Sequence, residues 1–123
     1  MADSSKYFTR EELKCKCGCE TCEMDDVFLE MLDALRFRYN SPIYLNSAYR
    51  CRSHNKAVGG KPSSLHTKGR AVDVSIAGEN ALRLLGKAAL SSINGIGVSQ
   101  KDTDWSKRFI HLDMRDAPAL WSY

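Results

Sequence analysis

A polar loop runs into an alternating apolar segment in Ser64-Leu65-His66-Thr67-Lys68-Gly69-Arg70-Ala71-Val72-Asp73-Val74-Ser75-Ile76. The alternation from Ala71 to Ile76 predicts a β-strand with one buried face. Gly69 gives the backbone the freedom to turn immediately before that strand. We therefore expect His66 on the loop that enters the strand and Asp73 within the strand itself.

A second apolar segment, Phe109-Ile110-His111-Leu112-Asp113-Met114, supplies another histidine and predicts a further strand. Imidazole nitrogens and carboxylate oxygens are both good zinc donors, and a catalytic zinc site uses three protein ligands and keeps its fourth position open. The sequence thus offers His66, Asp73 and His111 as metal ligands. Taken singly, each of these residues is more often a packing or surface residue.

Three segments have the pattern of helices. Thr9 and Glu12 can form a capping box, which predicts a short helix that ends at the cysteine-rich segment. The apolar residues of 25–39 recur at helical spacing and predict a longer helix. A third helix is predicted over 79–90, with Gly78 as its N-cap.

Short strands are also expected at 43–46 and 96–98. Residues 51–64 hold few apolar side chains but contain two glycines and a proline, so we interpret them as a long surface loop. The expected fold is of the α+β class, a small antiparallel sheet flanked by helices. A single domain, residues 1–123, fits the chain length.

Composition and charge disfavour several classes of protein. A hydrophobic share of 43% and a charged share of 27% are those of a folded globular chain rather than a disordered or membrane-spanning one. The net charge of +3 is too small and too evenly spread to indicate nucleic-acid binding, although it would favour an anionic polymer such as a cell wall. The N-terminus lacks the apolar core of a signal peptide, so we expect cytoplasmic synthesis.

Four of the five cysteines, Cys15, Cys17, Cys19 and Cys22, lie close together, and Cys51 stands apart. Four thiolates can bind a structural zinc ion, although this spacing is tighter than the usual Cys-x2-Cys pairs. A disulfide formed outside the cytoplasm, a bridge from the cluster to Cys51, and free thiols are the alternatives. All of these interpretations fit the sequence.

These segments resemble the family of zinc D-Ala-D-Ala carboxypeptidases and phage endolysin peptidases (M15-like), which shares its fold with the hedgehog signalling domain. The resemblance extends over nearly the whole chain, through the Phe8 to Cys15 region, Ser47-Ala48-Tyr49-Arg50, His54-Asn55-x-x-Val58-Gly59-Gly60, the decamer from Ser64 to Asp73, His111-Leu112-Asp113 and Trp121-Ser122-Tyr123. It implies a hedgehog/DD-peptidase-like fold and a single zinc peptidase domain with one catalytic zinc ion.

The resemblance also implies roles for individual residues. His66, Asp73 and His111 match the family's zinc ligands. Arg50 matches an arginine that engages the carboxylate or carbonyl oxygen of the substrate, a task for which the planar guanidinium is suited. Ser64 matches a substrate-binding serine at the rim of the site, although a simple turn role also fits this residue.

The family's motifs do not supply a general base. Some relatives carry an acidic residue three positions before the last zinc ligand, where this chain has Arg108, and others carry a histidine two positions before it, where this chain has Phe109. Asp113 should share a strand face with His111 and could orient that ligand or handle the proton. Asp104, on the preceding loop, is the other catalytic candidate.

The function that the resemblance implies is hydrolysis of a peptidoglycan amide bond by a metal-activated water. The protein would be a D-Ala-D-Ala carboxypeptidase or an endopeptidase of the stem peptide or cross-link, of the phage endolysin kind, and would act on the wall after release from the cytoplasm. Its partners would be stem peptides, with no nucleic acid and no membrane span, and we expect a monomer. The alternative is a non-catalytic zinc-binding recognition module of the same fold, which the missing bases favour.

Overall fold

The computed structural model describes all residues, 1–123, as helices and strands joined by short connections. The helices are α1 (Arg10–Leu13), α2 (Asp26–Tyr39), α3 (Arg52–Ala57) and α4 (Gly78–Ala89). The strands are β1 (Leu45–Ser47), β2 (Ala71–Ser75), β3 (Gly95–Ser99), β4 (Phe109–Asp113) and β5 (Ala119–Ser122). Two 3₁₀ turns, Leu65–Lys68 and Trp105–Lys107, precede β2 and β4. None of the helices is both long enough and apolar enough to traverse a lipid bilayer.

The strands form one mixed sheet in the order β1-β2-β4-β3-β5. All neighbouring strands are antiparallel except β3 and β5, which are parallel. The predicted α+β class, with a small sheet and flanking helices, is therefore confirmed. The parallel edge strand β5 was not predicted, because a few residues at the end of a chain carry too little alternation to identify a strand.

The register of the central strand determines which side chains meet. In the β2–β4 pair Asp73 lies opposite His111, and in the β3–β4 pair Gly97 lies opposite the same histidine. Because side chains alternate along a strand, Asp73 and His111 point to the same face of the sheet. Their neighbours Val72 and Ile110 point to the other face, which is apolar.

Helices α2 and α4 cover that apolar face. The buried side chains of this layer include Phe28, Leu32, Leu35, Leu84, Val72, Val74, Ile110 and Leu112. Each such side chain contributes about 1.5–3 kcal/mol on burial. The packed helices thereby hold the sheet rigid, and its opposite face is free to carry polar side chains.

The first two helices have the ends that the sequence predicted. In α1 the Glu12 N–H donates to Thr9 Oγ1 (3.3 Å), and the Thr9 N–H donates to Glu12 Oε1 (3.0 Å), so the capping box is confirmed. In α2 the predicted helix over 25–39 is confirmed, with Asp25 as the N-cap whose carboxylate accepts from the Phe28 N–H at 3.0 Å.

The boundaries of the later elements differ slightly from prediction. Helix α4 begins at Gly78 itself, so Ala77 and not Gly78 is the N-cap, without a side-chain hydrogen bond. The strand expected at 43–46 is displaced to Leu45–Ser47, and the strand expected at 96–98 extends over Gly95–Ser99. These shifts move no candidate ligand off its strand.

The predicted surface loop over 51–64 is wrong in part, because α3 occupies its first half. Cys51 caps this helix, since its Sγ accepts from the His54 N–H at 3.4 Å. Asn55 is the helix's buried residue, and its Nδ2 donates to the Lys61 carbonyl at 2.8 Å. A helix held by a buried amide has no apolar period, so the sequence pattern did not reveal it.

The turn that leads into β2 is fixed against the N-terminus of α2. Gly69 has φ +68°, and a Cβ at this position would collide with the Glu23 carbonyl oxygen. The Asp25 N–H donates to the Gly69 carbonyl (3.0 Å), and Arg70 Nε donates to Asp25 Oδ2 (3.2 Å). The turn expected at Gly69 is confirmed, and the close approach of two backbones explains why it requires glycine.

Candidate metal centre

His66 is buried on the 3₁₀ turn before β2, and its ring is held from behind. Its Nδ1 lies 2.8 Å from the Ala48 carbonyl oxygen. Because a carbonyl can only accept, Nδ1 carries a proton, and Nε2 is the nitrogen left to bind a metal ion. Nε2 lies 3.3 Å from Asp73 Oδ2, so the free nitrogen faces the interior of the site.

Asp73 lies between the two histidines in the middle of β2. Its Oδ1 is 2.9 Å from His111 Nδ1, and its Oδ2 is 3.3 Å from His66 Nε2. Burial alone would raise the pKa of Asp73, but the hydrogen bonds with His111 and His66 outweigh burial and hold that pKa well below its usual range. The carboxylate is therefore ionised and can act as a metal ligand.

His111 is oriented by Asp113 on the same face of β4, as expected for residues two apart on a strand. Its Nε2 lies 2.8 Å from Asp113 Oδ2. Arg115 binds the same carboxylate through Nε to Oδ1 (2.9 Å) and Nη2 to Oδ2 (2.5 Å). Burial opposes ionisation of Asp113, but Arg115 and His111 lower its pKa below the ordinary value. The carboxylate is fully buried, so both oxygens are committed to these partners.

The donor set fits zinc. One ligand atom from each of His66, Asp73 and His111 lies within 4.8 Å of the others. Two imidazoles and one carboxylate are a common set for catalytic zinc, and each imidazole has its other nitrogen hydrogen-bonded, as metal-binding histidines usually do. The structure thus brings together the three side chains that the sequence offered as ligands.

Arg50 lies against this trio of His66, Asp73 and His111. Its Nη2 is 3.2 Å from Asp73 Oδ2, its Nε donates to Ser47 Oγ (3.0 Å), and its Nη1 donates to Asn55 Oδ1 (3.3 Å). Its side chain is only 16% exposed. The guanidinium is therefore held in one orientation at the edge of the site.

Ser64 is the N-cap of the turn that carries His66. Its Oγ accepts from the His66 N–H at 3.3 Å, so it has the turn role that the sequence allowed. It also lines an open cavity of ≈ 590 Å³ that reaches the trio at His111. The lining residues of this first cavity are Lys61, Ser63, Ser64, Leu65, His111, Asp113, Arg115, Trp121 and Tyr123.

A second cavity of ≈ 330 Å³ reaches the trio at Asp73. Its lining residues are Lys16, Asn46, Ser47, Arg50, His54, Val58, Asp73 and Phe109. The trio is therefore open to two cavities. Apart from Asp73 and Asp113, no acidic side chain lines either cavity.

Asp104 belongs to an exposed turn before β4. Its Oδ1 accepts from the Ser106 N–H (3.0 Å) and the Ser106 hydroxyl (2.6 Å), and these bonds lower its pKa. The backbone N–H of Asp104 donates to Asp102 Oδ1 at 2.9 Å. No hydrogen bond joins Asp104 to the trio, whereas Asp113 is hydrogen-bonded to His111 of the trio.

Arg115 and Trp121 were not singled out from the sequence as site residues. The Trp121 ring lies 5.4 Å from the His111 ring, and the Arg115 guanidinium lies 4.5 Å from the Trp121 ring centroid. Gly97 faces Trp121 across the β3–β5 pair, and a Cβ on Gly97 would meet the indole at 2.5 Å. Trp121 belongs to one of the segments that resemble the family, and this resemblance was the feature of the sequence that could have identified it as a site residue.

The cysteine cluster has a different membership from the expected one. One ligand atom from each of Cys15, Cys17, Cys19 and Cys51 lies within 4.8 Å of the others. Cys22 is not part of this group. Its Sγ lies 3.9 Å from the Asp3 carbonyl oxygen. The prediction of Cys22 as the fourth member is therefore corrected to Cys51, which the fold brings in from the start of α3.

Comparison with models of known protein families gives a match over most of the chain. The family model described as peptidase M15 matches residues 6–113, which include the trio, Arg50 and Asp113. No curated protein matches the chain in sequence.

Proposed function

This chain belongs to the peptidase M15 family, and on that premise we propose that it is a zinc-dependent peptidase of bacterial peptidoglycan, acting as a single domain. The observation that carries the proposal is the convergence of His66, Asp73 and His111, with Arg50 at 3.2 Å from the shared carboxylate. A purely structural metal site would have little use for a clamped arginine at its open edge.

Zinc, when bound by the trio, supplies a Lewis acid for the peptide carbonyl and a means of activating water. The chain's own residues hold that centre in shape. Ala48 fixes the tautomer of His66 through Nδ1, and Asp113 fixes the ring of His111 through Nε2. We assign Asp113 this positioning role, because both of its oxygens are bonded to His111 and Arg115.

Arg50 is the proposed substrate-binding residue. Ser47 and Asn55 hold its guanidinium, so little side-chain entropy is lost when it binds a carbonyl or carboxylate oxygen of the substrate. We place Ser64 at the opposite edge, where its hydroxyl lines the first cavity. The substrate would then lie across the trio, between these two side chains.

The two cavities support cleavage inside a peptide over removal of a single terminal residue. Each cavity can accept residues on one side of the scissile bond. The first holds Lys61 and Arg115, and the second holds Lys16 and Arg50. These cations suit stem peptides, which carry free carboxylates. An endolysin-like role in wall lysis rests on the resemblance of the motifs and is part of this proposal.

A second candidate is a non-catalytic recognition module on the same scaffold. This alternative is supported by the hydrogen bonds of the two carboxylates. Both oxygens of Asp73 and both oxygens of Asp113 already have partners, so neither residue has a free oxygen with which to carry a proton. Asp104, the other base candidate, bonds only within its own turn and to Ser106. The two candidates differ in whether a zinc-loaded protein cleaves peptidoglycan.

The experiment compares the wild type, His66→Ala and His54→Ala. Zinc per chain is measured, and each protein is incubated with purified peptidoglycan while new free amines and fragment masses are followed. We expect wild-type cleavage, and loss of both cleavage and about one zinc ion per chain in His66→Ala. His54→Ala is the matched control for metal content and should keep its zinc, because His54 is outside the trio.

The fragment masses identify the bond that is cut. New internal fragments support the endopeptidase assignment, whereas release of single D-alanine residues would replace it with a carboxypeptidase. A wild-type protein that binds zinc at the trio but cleaves no type of peptidoglycan would refute the peptidase and establish the recognition module.

A further inference from the structure

We propose that Cys15, Cys17, Cys19 and Cys51 hold a second, structural zinc ion that ties the N-terminal segment to the start of α3. The inference does not depend on the proposed function, because it concerns a separate set of ligands from the trio. This set of ligands differs from the one that the sequence suggested, because the fourth ligand is Cys51, from a distant segment, and not Cys22.

The spacing of the sulfur atoms suits tetrahedral zinc. Cys17 Sγ lies 3.5 Å from Cys15 Sγ and 3.7 Å from Cys51 Sγ. Zinc–sulfur bonds of about 2.3 Å in a tetrahedron give sulfur–sulfur edges of ~3.8 Å. A disulfide bond is much shorter, at about 2.05 Å, and all five cysteines are free thiols.

Hydrogen-bond donors surround these sulfur atoms. The Cys51 N–H donates to Cys15 Sγ (3.4 Å), and the His54 N–H donates to Cys51 Sγ (3.4 Å). The Thr21 hydroxyl lies 2.8 Å from Cys19 Sγ. Donors of this kind favour the thiolate, which is the form of cysteine that binds zinc, and they orient the ligand.

The cysteine-rich segment is closed on itself, so its three sulfur atoms are presented together. The Cys15 N–H donates to the Thr21 carbonyl at 2.9 Å. Lys14 Nζ forms an ion pair with Glu20 at 2.9 Å on the same loop. Three ligands from a closed local loop and one from a remote segment make a cross-link, which is what a structural zinc ion contributes to a small domain.

The cross-link has a consequence for Arg50, which directly precedes Cys51. The Arg50 N–H donates to the His66 carbonyl (3.1 Å), and the Tyr49 N–H donates to the Leu13 carbonyl (3.1 Å). The segment that carries Arg50 is thus fixed on one side by the 3₁₀ turn that carries His66 and on the other side by the cysteine site. The second zinc ion would hold the arginine in register with Asp73.

The first test measures zinc per chain in protein purified under reducing conditions. We expect about two zinc ions in the wild type and about one in Cys17→Ser, Cys51→Ser or His66→Ala. Cys22→Ser is the matched control and should keep about two. Cys15 is left intact because it is buried in the core and its replacement would endanger folding.

A second test keeps the cysteines unchanged and so does not depend on a variant's folding. The His66→Ala chain is reconstituted with cobalt(II), and an intense thiolate-to-cobalt charge-transfer absorption is expected, because the remaining site has only sulfur ligands. The absence of that absorption, or serine variants of the cluster that retain the wild-type zinc content, would overturn the proposal. Neither result bears on peptidase activity, because both measure metal binding at the cysteine cluster and not cleavage of peptidoglycan.

Discussion

Each ring nitrogen and carboxylate oxygen of the trio has a definite partner. His66 is held through Nδ1 by Ala48, and His111 is held through Nε2 by Asp113, so the opposite nitrogens face Asp73. No buried side-chain nitrogen or oxygen in the protein lacks a hydrogen bond. Because an unsatisfied buried polar group costs about 1–3 kcal/mol, these bonds fix the rings in one orientation.

Asp113→Asn should weaken zinc binding at the trio. The amide keeps the shape of the side chain but removes the charge that orients His111 and pairs with Arg115. We expect the zinc affinity to fall by about 10–100-fold, as is typical when such a partner is altered. Competition with a chelator measures this affinity. Asp104→Asn is the control, because its carboxylate contacts only Ser106 and its own turn. Equal affinity in both variants would contradict the positioning role.

The elements bring distant ligands together by pairing and by anchoring. The β2–β4 register places Asp73 opposite His111, and the 3₁₀ turn before β2 adds His66. The same 3₁₀ turn is anchored to the N-terminus of α2 by the hydrogen bond between the Asp25 N–H and the Gly69 carbonyl. The position of one ligand therefore depends on a helix that contributes no ligand.

Gly69→Ala should destabilise the fold. Its φ of +68° is strained for any residue with a Cβ, and that Cβ would collide with the Glu23 carbonyl. We expect a loss of about 1–3 kcal/mol in the free energy of unfolding, measured by chemical denaturation. Gly86→Ala is a control of opposite sign, because Gly86 lies inside α4 with open space around it. The free energy of unfolding of Gly86→Ala should be about 0.5–1 kcal/mol larger than that of the wild type. Equal stability of Gly69→Ala and the wild type would disprove the anchoring.

The N-cap of α2 should make stability dependent on pH. Burial opposes ionisation of Asp25, but the Phe28 N–H and Arg70 outweigh it and lower the pKa of Asp25. A lowered pKa in the folded state means that the ionised carboxylate stabilises the protein above the unfolded-state pKa of about 3.9. This stabilisation is lost as the pH falls through the folded-state pKa.

Asp25→Asn tests this dependence, because it keeps the capping oxygen and removes the charge. The difference in unfolding free energy between the wild type and this variant should be largest above about pH 5 and should shrink toward about pH 3. Glu30→Ala, at an exposed position of the same helix, is the control and should show no such trend. A difference that stays constant over this range would rule out the charged cap.

At the scale of the whole molecule, the two faces of the sheet have separate tasks. One face packs against α2 and α4. The other carries Asp73, His111, Asp113 and the edge residue Trp121, and His66 lies on the turn beside it. The C-terminal strand β5 completes the wall of the first cavity, since Trp121 and Tyr123 both line it. The proposed substrate path therefore depends on the last residues of the chain.

Trp121→Ala should slow cleavage of peptidoglycan while leaving zinc in place. The indole lines the first cavity and packs beside His111, yet it is not a ligand. We expect kcat/KM to fall by about tenfold, which corresponds to about 1.4 kcal/mol of transition-state stabilisation. Leu120→Ala is the matched control, because Leu120 is 73% exposed on the opposite face of β5. Unchanged cleavage by Trp121→Ala would show that the substrate does not contact Trp121.

Local patterns in the amino-acid sequence predicted several elements and the candidate ligands correctly. Alternating residues identified β2 and β4, the Thr9–Glu12 capping box identified α1, and residue type and spacing offered His66, Asp73 and His111 as ligands. Helix α3 has no such pattern, because it is stabilised by a cap and a buried amide rather than by apolar periodicity.

The remote side chains that complete each site could be identified only from the folded structure. It joined Cys51 to the cysteine cluster in place of Cys22, set Trp121 beside His111, and gave Asp113 the partner Arg115. These contacts depend on strand register and on the packing of segments far apart in the chain. Local spacing encodes periodicity and turns, but it does not encode which distant surfaces meet.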